Sequence, residues 1–127
     1  MKTPSFEDFA ADEIVYMSKA YQLGLRCNPM IGQCQRIVEL WFKQIITDKL
    51  MNNNEVMLSR NLRNLYDYVC ELGIDLSPIR KSVMILNNFY QHTRYPSKDS
   101  YIATEEDIEL AVSACMEIKQ FLYGKYL

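Results

Sequence analysis

The chain has 127 residues, of which 49% are hydrophobic, and it carries a formal net charge of −2 at pH 7. This length suits a single domain, residues 1–127, and the composition is that of a globular protein with a hydrophobic core. The slightly acidic balance argues against a nucleic-acid coat protein or a polybasic membrane binder, but it leaves room for a local basic patch.

Neither membrane nor metal chemistry is expected from the sequence. The apolar runs are too short to cross a bilayer, and the N-terminal sequence MKTPSFEDF has no signal-peptide core, so we expect a cytoplasmic location. The four cysteines show no C-x-x-C spacing, and His92 is the only histidine. The sequence therefore predicts no metal site, and we expect no cofactor.

Apolar residues recur at helical spacing along almost the whole chain. A first helix is predicted after Ser5, which forms a capping-box pattern with Asp8, and it runs to Gly24. A second helix is predicted from Asn28-Pro29, an N-cap residue followed by proline, to the asparagines at 52–54. These asparagines are expected to form a polar loop.

The second half of the chain shows the same signals. They predict a third helix over about 59–72, a fourth from Ser77-Pro78 to Pro96, and a fifth from Thr104 to Gly124. No segment has a convincing strand pattern. The expected fold is therefore all-α, an antiparallel (up-and-down) bundle of about five helices with short connections.

The fourth predicted helix carries an unusual polar row. On a helical wheel its core face consists of Ile79, Val83, Leu86 and Tyr90. The row directly beside that face consists of Arg80, Met84, Asn87, Gln91 and Arg94. Two interpretations stay open: the row lines a groove or an interface, or it is an ordinary boundary row of amphipathic side chains.

His92 is the weak candidate for a catalytic residue. It lies about 160° from Arg94 on the wheel of a regular helix, so the two side chains are expected to point to different sides. This weakens an acid–base interpretation of the pair. Arg94 also has a simpler explanation as a cation that complements the helix dipole, and Tyr95 as a residue that seals the bundle.

Three motifs together resemble the HEPN family (higher eukaryotes and prokaryotes nucleotide-binding domain), over nearly the whole chain. The sequence IGQCQRIVELWFKQII is similar to the family's second helix, SRNLRNLYDYV to the HNLxxL opening of the third, and YQHTRYP to the YxxxRYP close of the fourth. The resemblance implies an antiparallel helical bundle that usually dimerises.

The resemblance implies one of two functions. Some members are RNA-cleaving toxins or defence effectors that carry an arginine and a histidine with four to six residues between them. Others are non-cleaving domains that bind nucleotides or support a partner, often a minimal nucleotidyltransferase. With His92 as the histidine, the arginine would stand at 85–87, where this chain has Ile, Leu and Asn. The ribonuclease motif is therefore absent, and Arg60 stands where many relatives have the histidine of HNL.

The preferred interpretation is a non-catalytic domain that binds a nucleotide or RNA, or supports a nucleotidyltransferase, as a homodimer. The candidate binding residues are Arg94, Tyr95, Tyr90, Asn87, Gln91, Arg80 and Arg60. A compact bundle is expected to bring the arginines and Lys98 near one another. Two alternatives stay open: a ribonuclease toxin of a toxin–antitoxin or defence system with a degenerate Arg/His motif, and a purely structural dimeric adaptor.

Overall fold

The helices of the computed structural model account for most of residues 2–127, the part of the chain that it describes. In order they are α1 (Phe6–Gln22), α2 (Asn28–Asp48), α3 (Asn54–Leu58), α4 (Leu62–Glu71), α5 (Arg80–Thr93) and α6 (Glu105–Leu122). A 3₁₀ turn over Ser77–Ile79 leads directly into α5. Since no strand occurs within residues 2–127, the expected all-α fold is confirmed.

Two helices begin with complete capping boxes. At α1 the Asp8 N–H donates to the Ser5 hydroxyl at 3.0 Å, and the Ser5 N–H donates to the Asp8 carboxylate at 2.9 Å. Thr104 and Asp107 form the same pair of bonds at α6. Each box satisfies backbone donors that the first helical turn leaves free, and a cap of this kind contributes about 1 kcal/mol.

Two asparagine side chains cap helices at positions that differ from the prediction. One lies in the expected polar loop, and the other lies inside the longer helix predicted after it. The Asn53 side chain accepts bonds from the N–H groups of Glu55 and Val56, and it starts the short helix α3 inside the expected polar loop. The Asn61 side chain caps α4, which therefore begins at Leu62 and not at Ser59. An asparagine signals a helix cap as readily as a turn.

The antiparallel arrangement of α1 and α2 follows from two contacts. The Glu7 N–H donates to the Gln44 side chain at 3.0 Å, and Arg36 pairs with Glu13 at 2.9 Å. Because residue numbers rise along α1 as they fall along α2, the two helices run in opposite directions. α2 lies at the centre of the bundle and packs against α1, α4, α5 and α6.

The central helix α2 is buried around almost its whole circumference. Its apolar core residues are Met30, Ile31, Cys34, Ile37, Val38, Leu40, Trp41, Phe42, Ile45 and Ile46. Four polar residues of α2 are buried with them and have partners: Gln35 donates to the Arg60 carbonyl, Lys43 donates to the Glu39 carboxylate at 2.8 Å, and Gln44 accepts from the Glu7 N–H. The ion pair is almost fully enclosed, with Glu39 6% and Lys43 5% exposed.

The core face of α5 differs from the prediction at one position. Val83 and Leu86 are buried as expected, but Tyr90 is only partly buried, and the neighbouring Phe89 takes the core position. The phenylalanine ring has no polar group to satisfy, whereas a tyrosine hydroxyl favours a place at the edge. Tyr90 is therefore available at the surface near the end of α5.

The buried pair gives a stability prediction. Lys43→Met should destabilise the fold by about 3–5 kcal/mol, because it leaves the Glu39 carboxylate buried without its partner. The double variant Glu39→Leu/Lys43→Met should recover most of that loss, because it removes both charges. Urea denaturation measures both, with the exposed Lys49→Met as the matched control. Equal losses in the single and the double variant would contradict this account.

Candidate functional site

The side chain of Asn28 holds the end of α5 against the start of α2. Its amide nitrogen donates to the carbonyls of Thr93 at 3.1 Å and Tyr101 at 3.2 Å. Its amide oxygen accepts from the Ala103 N–H at 2.8 Å. Asn28 is the first residue of α2 and not its N-cap as predicted, since Cys27 takes the cap position without a side-chain bond. The asparagine therefore fixes the segment 94–103 instead of capping its own helix.

A cavity of about 510 Å³ opens between α1, α2 and the end of α5, and we call it the Arg94 groove. It is lined by Glu13, Asn28, Pro29, Gly32, Gln33, Arg36, Tyr90, Thr93 and Arg94. This volume falls within the range of small-molecule sites. Because α2 begins here, its positive dipole end lies at the groove, and its first turn contains no acidic residue.

Arg94 is the cation in the groove that has no charged partner. Arg36, the other arginine, pairs with Glu13 at 2.9 Å, whereas Arg94 forms no ion pair with any of residues 2–127. The Arg94 guanidinium carbon lies 4.9 Å from the ring centroid of Tyr90 and 5.3 Å from that of Tyr95. Two aromatic rings thus hold an exposed guanidinium at the groove without neutralising it.

The charge of Arg94 alters its neighbour. The guanidinium lowers the pKa of the Tyr95 phenol below its ordinary value of 10.0, and Arg60 adds a smaller effect in the same direction. The Tyr95 contact in turn raises the pKa of Arg94, so the guanidinium stays charged throughout the physiological range. Arg60 and Arg94 therefore both lower the pKa of Tyr95, and the expected grouping of the two arginines stays a prediction.

Arg80 lies at the opposite end of α5 from the Arg94 groove. It stands 14 positions before Arg94, a helical distance of about 21 Å, and its guanidinium carbon is 5.8 Å from the ring centroid of Tyr66. The cavity at that end is lined by carboxylates as well, those of Asp67, Glu71 and Asp75. The expectation that the bundle gathers all the arginines is thus wrong for Arg80, because the predicted polar row extends along the full length of α5.

The remaining candidates of α5 lie outside the Arg94 groove. Asn87 is half-buried and Gln91 is exposed, and within residues 2–127 neither side chain makes a hydrogen bond. The His92 ring stacks on Tyr101, with ring centroids 6.3 Å apart and an angle of 21° between the planes. His92 lines neither the Arg94 groove nor the adjoining cavity beside Tyr95, which agrees with the expected separation of His92 and Arg94.

Sequence reasoning missed three residues of this site. Asn28 was visible only as a helix-start signal, because its partners Thr93, Tyr101 and Ala103 are more than sixty positions away. Glu13 and Arg36 are 23 positions apart and meet only because α1 packs on α2. No local pattern in the sequence marks this pair.

Residues 2–127 contain neither a membrane-spanning helix nor a cluster of metal-ligating side chains. Within that range, no helix combines the length and apolar character needed to traverse a bilayer. The same residues contain no group of three or more histidine, cysteine, aspartate or glutamate side chains placed to hold a metal ion.

The family model for the HEPN domain matches residues 10–125, so it includes all of α2 to α6 and most of α1. The chain belongs to the HEPN family. No curated protein and no solved structure matches the chain. The HEPN domain indicates membership of a nucleotide-binding and ribonuclease superfamily.

Proposed function

We propose that this chain is a non-catalytic HEPN domain that binds a phosphate-bearing ligand, a nucleotide or an RNA segment, in the Arg94 groove. One observation carries the proposal: Arg94 is exposed, has no carboxylate partner within residues 2–127, and is held over two tyrosine rings beside a cavity of about 510 Å³. A guanidinium fork matches the oxygens of a phosphate, and the resulting charged hydrogen bonds are strong.

The neighbouring residues have distinct roles in this proposal. Tyr90 or Tyr95 stacks a base, and such a contact contributes about 1–3 kcal/mol per base. Tyr95 is 68% exposed, so its ring face is available to a ligand. Arg60 adds positive charge near Tyr95. Asn87 and Gln91 lie outside the groove and meet only a longer ligand, such as an RNA segment that continues along α5.

The proposal excludes RNA cleavage for a chemical reason. Metal-free cleavage needs a proton acceptor for the 2′-hydroxyl and a cation that stabilises the pentavalent phosphorus. Positions 85–87 carry no arginine, and His92 stacks on Tyr101 instead of lining the Arg94 groove. A ribonuclease toxin built on His92 and Arg94 would need a second subunit to bring the two together.

The proposal includes a homodimer. Tyr95 and Ile102 line one cavity at the end of α5, and Ile102 is 81% exposed. The large exposed aliphatic side chain of Ile102 suits a self-complementary contact between two copies, and in this proposal the Tyr95 ring faces the ligand. A structural adaptor, the alternative function, would use the same surface for a nucleotidyltransferase partner. A cytoplasmic location is part of the proposal, because nucleotides and RNA are present there.

The binding proposal is tested by thermal shifts with a panel of nucleotides and short RNAs. A ligand at about 100 times its Kd stabilises the protein by about 2.7 kcal/mol. This stabilisation should be lost in Arg94→Gln and retained in His92→Gln and in Arg80→Gln, which removes the same charge at the far end of α5. If no ligand raises the Tm, or if Arg94→Gln responds like the wild type, Arg94 is only a dipole cap.

The purified protein should not cleave single-stranded RNA or transfer RNA in the presence of EDTA. The reason is the missing arginine at positions 85–87. Gel analysis of end-labelled RNA measures the outcome. Metal-free cleavage that disappears in His92→Ala would establish the ribonuclease alternative.

Sedimentation equilibrium at micromolar concentration should give a dimer. Ile102→Lys should shift the protein towards monomer, because it places a charge in the proposed contact. Leu50→Lys is the matched control, since Leu50 is 88% exposed just beyond the opposite end of α2. A strict monomer over this range, or equal effects of both variants, would rule out the dimer or this contact.

A further inference from the structure

The Arg94 groove contains a carboxylate of its own. Glu13 lines the groove from α1, and its Oε1 lies 2.9 Å from Nε of Arg36 on α2. The Glu13 side chain is 27% exposed and that of Arg36 is 45% exposed, so both face the groove without being fully solvated. Among the described residues 2–127, Glu13 is the one acidic residue in the lining, and with Arg36 and Arg94 it gives the groove a net charge of +1.

We infer that the Arg94 groove selects a ligand with a single phosphate group, and that Glu13 is the residue that excludes polyphosphates. This inference rests on the function proposed above and specifies its ligand. A terminal phosphate monoester is the shared chemistry, and it is offered by a nucleoside monophosphate or by the 5′-phosphate end of an RNA.

The charges around the groove support this selectivity. A phosphate monoester carries a charge between −1 and −2 near pH 7. Arg94 and the positive end of the α2 dipole together meet a charge of this size. Arg36 adds little further attraction for the phosphate, because its guanidinium already pairs with the Glu13 carboxylate.

The charge of a triphosphate matches the charge of the groove less well than that of a single phosphate. Its additional anionic groups have to share the same cavity with the Glu13 carboxylate, and like charges at close range repel each other. If Arg36 turned towards the phosphates, the Glu13 carboxylate would be left without a partner beside them. Either arrangement penalises the second and third phosphates.

The test uses isothermal titration calorimetry of the full chain with nucleoside monophosphates and the corresponding triphosphates, without divalent cations. The wild type should bind the monophosphate more tightly. Glu13→Gln should raise the affinity for the triphosphate by about tenfold and that for the monophosphate by less, because it frees Arg36 and removes the repulsion. Arg36→Gln should weaken both ligands, since it leaves Glu13 unpaired.

Asp12→Asn is the matched control, because Asp12 is an exposed carboxylate on the same helix that does not line the groove. Asp12→Asn changes the net charge of the protein by the same amount as Glu13→Gln. It should leave the preference for the monophosphate over the triphosphate unchanged. Two further ligands separate the sources of the phosphate: a short RNA with a 5′-phosphate and the same RNA with a 5′-hydroxyl. If the 5′-phosphorylated RNA binds and the nucleoside monophosphates do not, the site recognises the phosphorylated end of an RNA.

The outcomes separate the two proposals. If Arg94→Gln abolishes binding but Glu13→Gln behaves like Asp12→Asn, the selectivity inference is wrong and the proposed function stands. A wild type that binds triphosphates as tightly as monophosphates also overturns the inference alone. If no phosphate ligand binds, or if Arg94→Gln has no effect, both proposals fail.

Discussion

The enclosure of α2 by four other helices is the constraint on which the rest of the structure depends. A helix that is buried around most of its circumference cannot send most of its polar side chains to solvent, so the buried ones need partners inside the protein. Gln35 finds the carbonyl of Arg60, and Lys43 finds Glu39 one turn earlier. The first of these bonds fixes the segment between α3 and α4. The buried polar side chains of α2 thus help to position the neighbouring segments, and they also affect the stability of α2 itself.

The same helix creates the candidate site. α1 and α5 both pack on α2 without extensive contact with each other, and this arrangement leaves a groove above the first turns of α2. Asn28 ties the end of α5 and the segment after it to the start of α2 through two hydrogen bonds, so Tyr90 and Arg94 are held at the rim. A groove with a fixed rim loses less conformational entropy on binding than one formed by mobile loops.

The features that could be predicted from the sequence are those set by local chemistry. Ser5 with Asp8 and Thr104 with Asp107 are three positions apart, and both pairs form the expected caps. The burial of Glu39 and Lys43 could not be predicted in this way. Their spacing of four residues is equally typical of a solvated helix face, and only the packing of the other helices around α2 encloses them. The pairing of Glu13 with Arg36 in the groove could not be predicted either, because it too depends on how distant segments of the chain pack together.

The proposed function assigns binding and not cleavage to the end of α5. A guanidinium can hold a phosphate by itself, whereas cleavage also needs a base within reach of the 2′-hydroxyl. Here the tyrosines that support Arg94 are Tyr90 and Tyr95, while His92 stacks on Tyr101, whose N–H also bonds to the His92 carbonyl. Each of the two polar residues is therefore held by its own aromatic partners. To bring the histidine to the arginine, the protein would have to give up the His92–Tyr101 stack and unwind the last turn of α5, which Asn28 holds in place through Thr93.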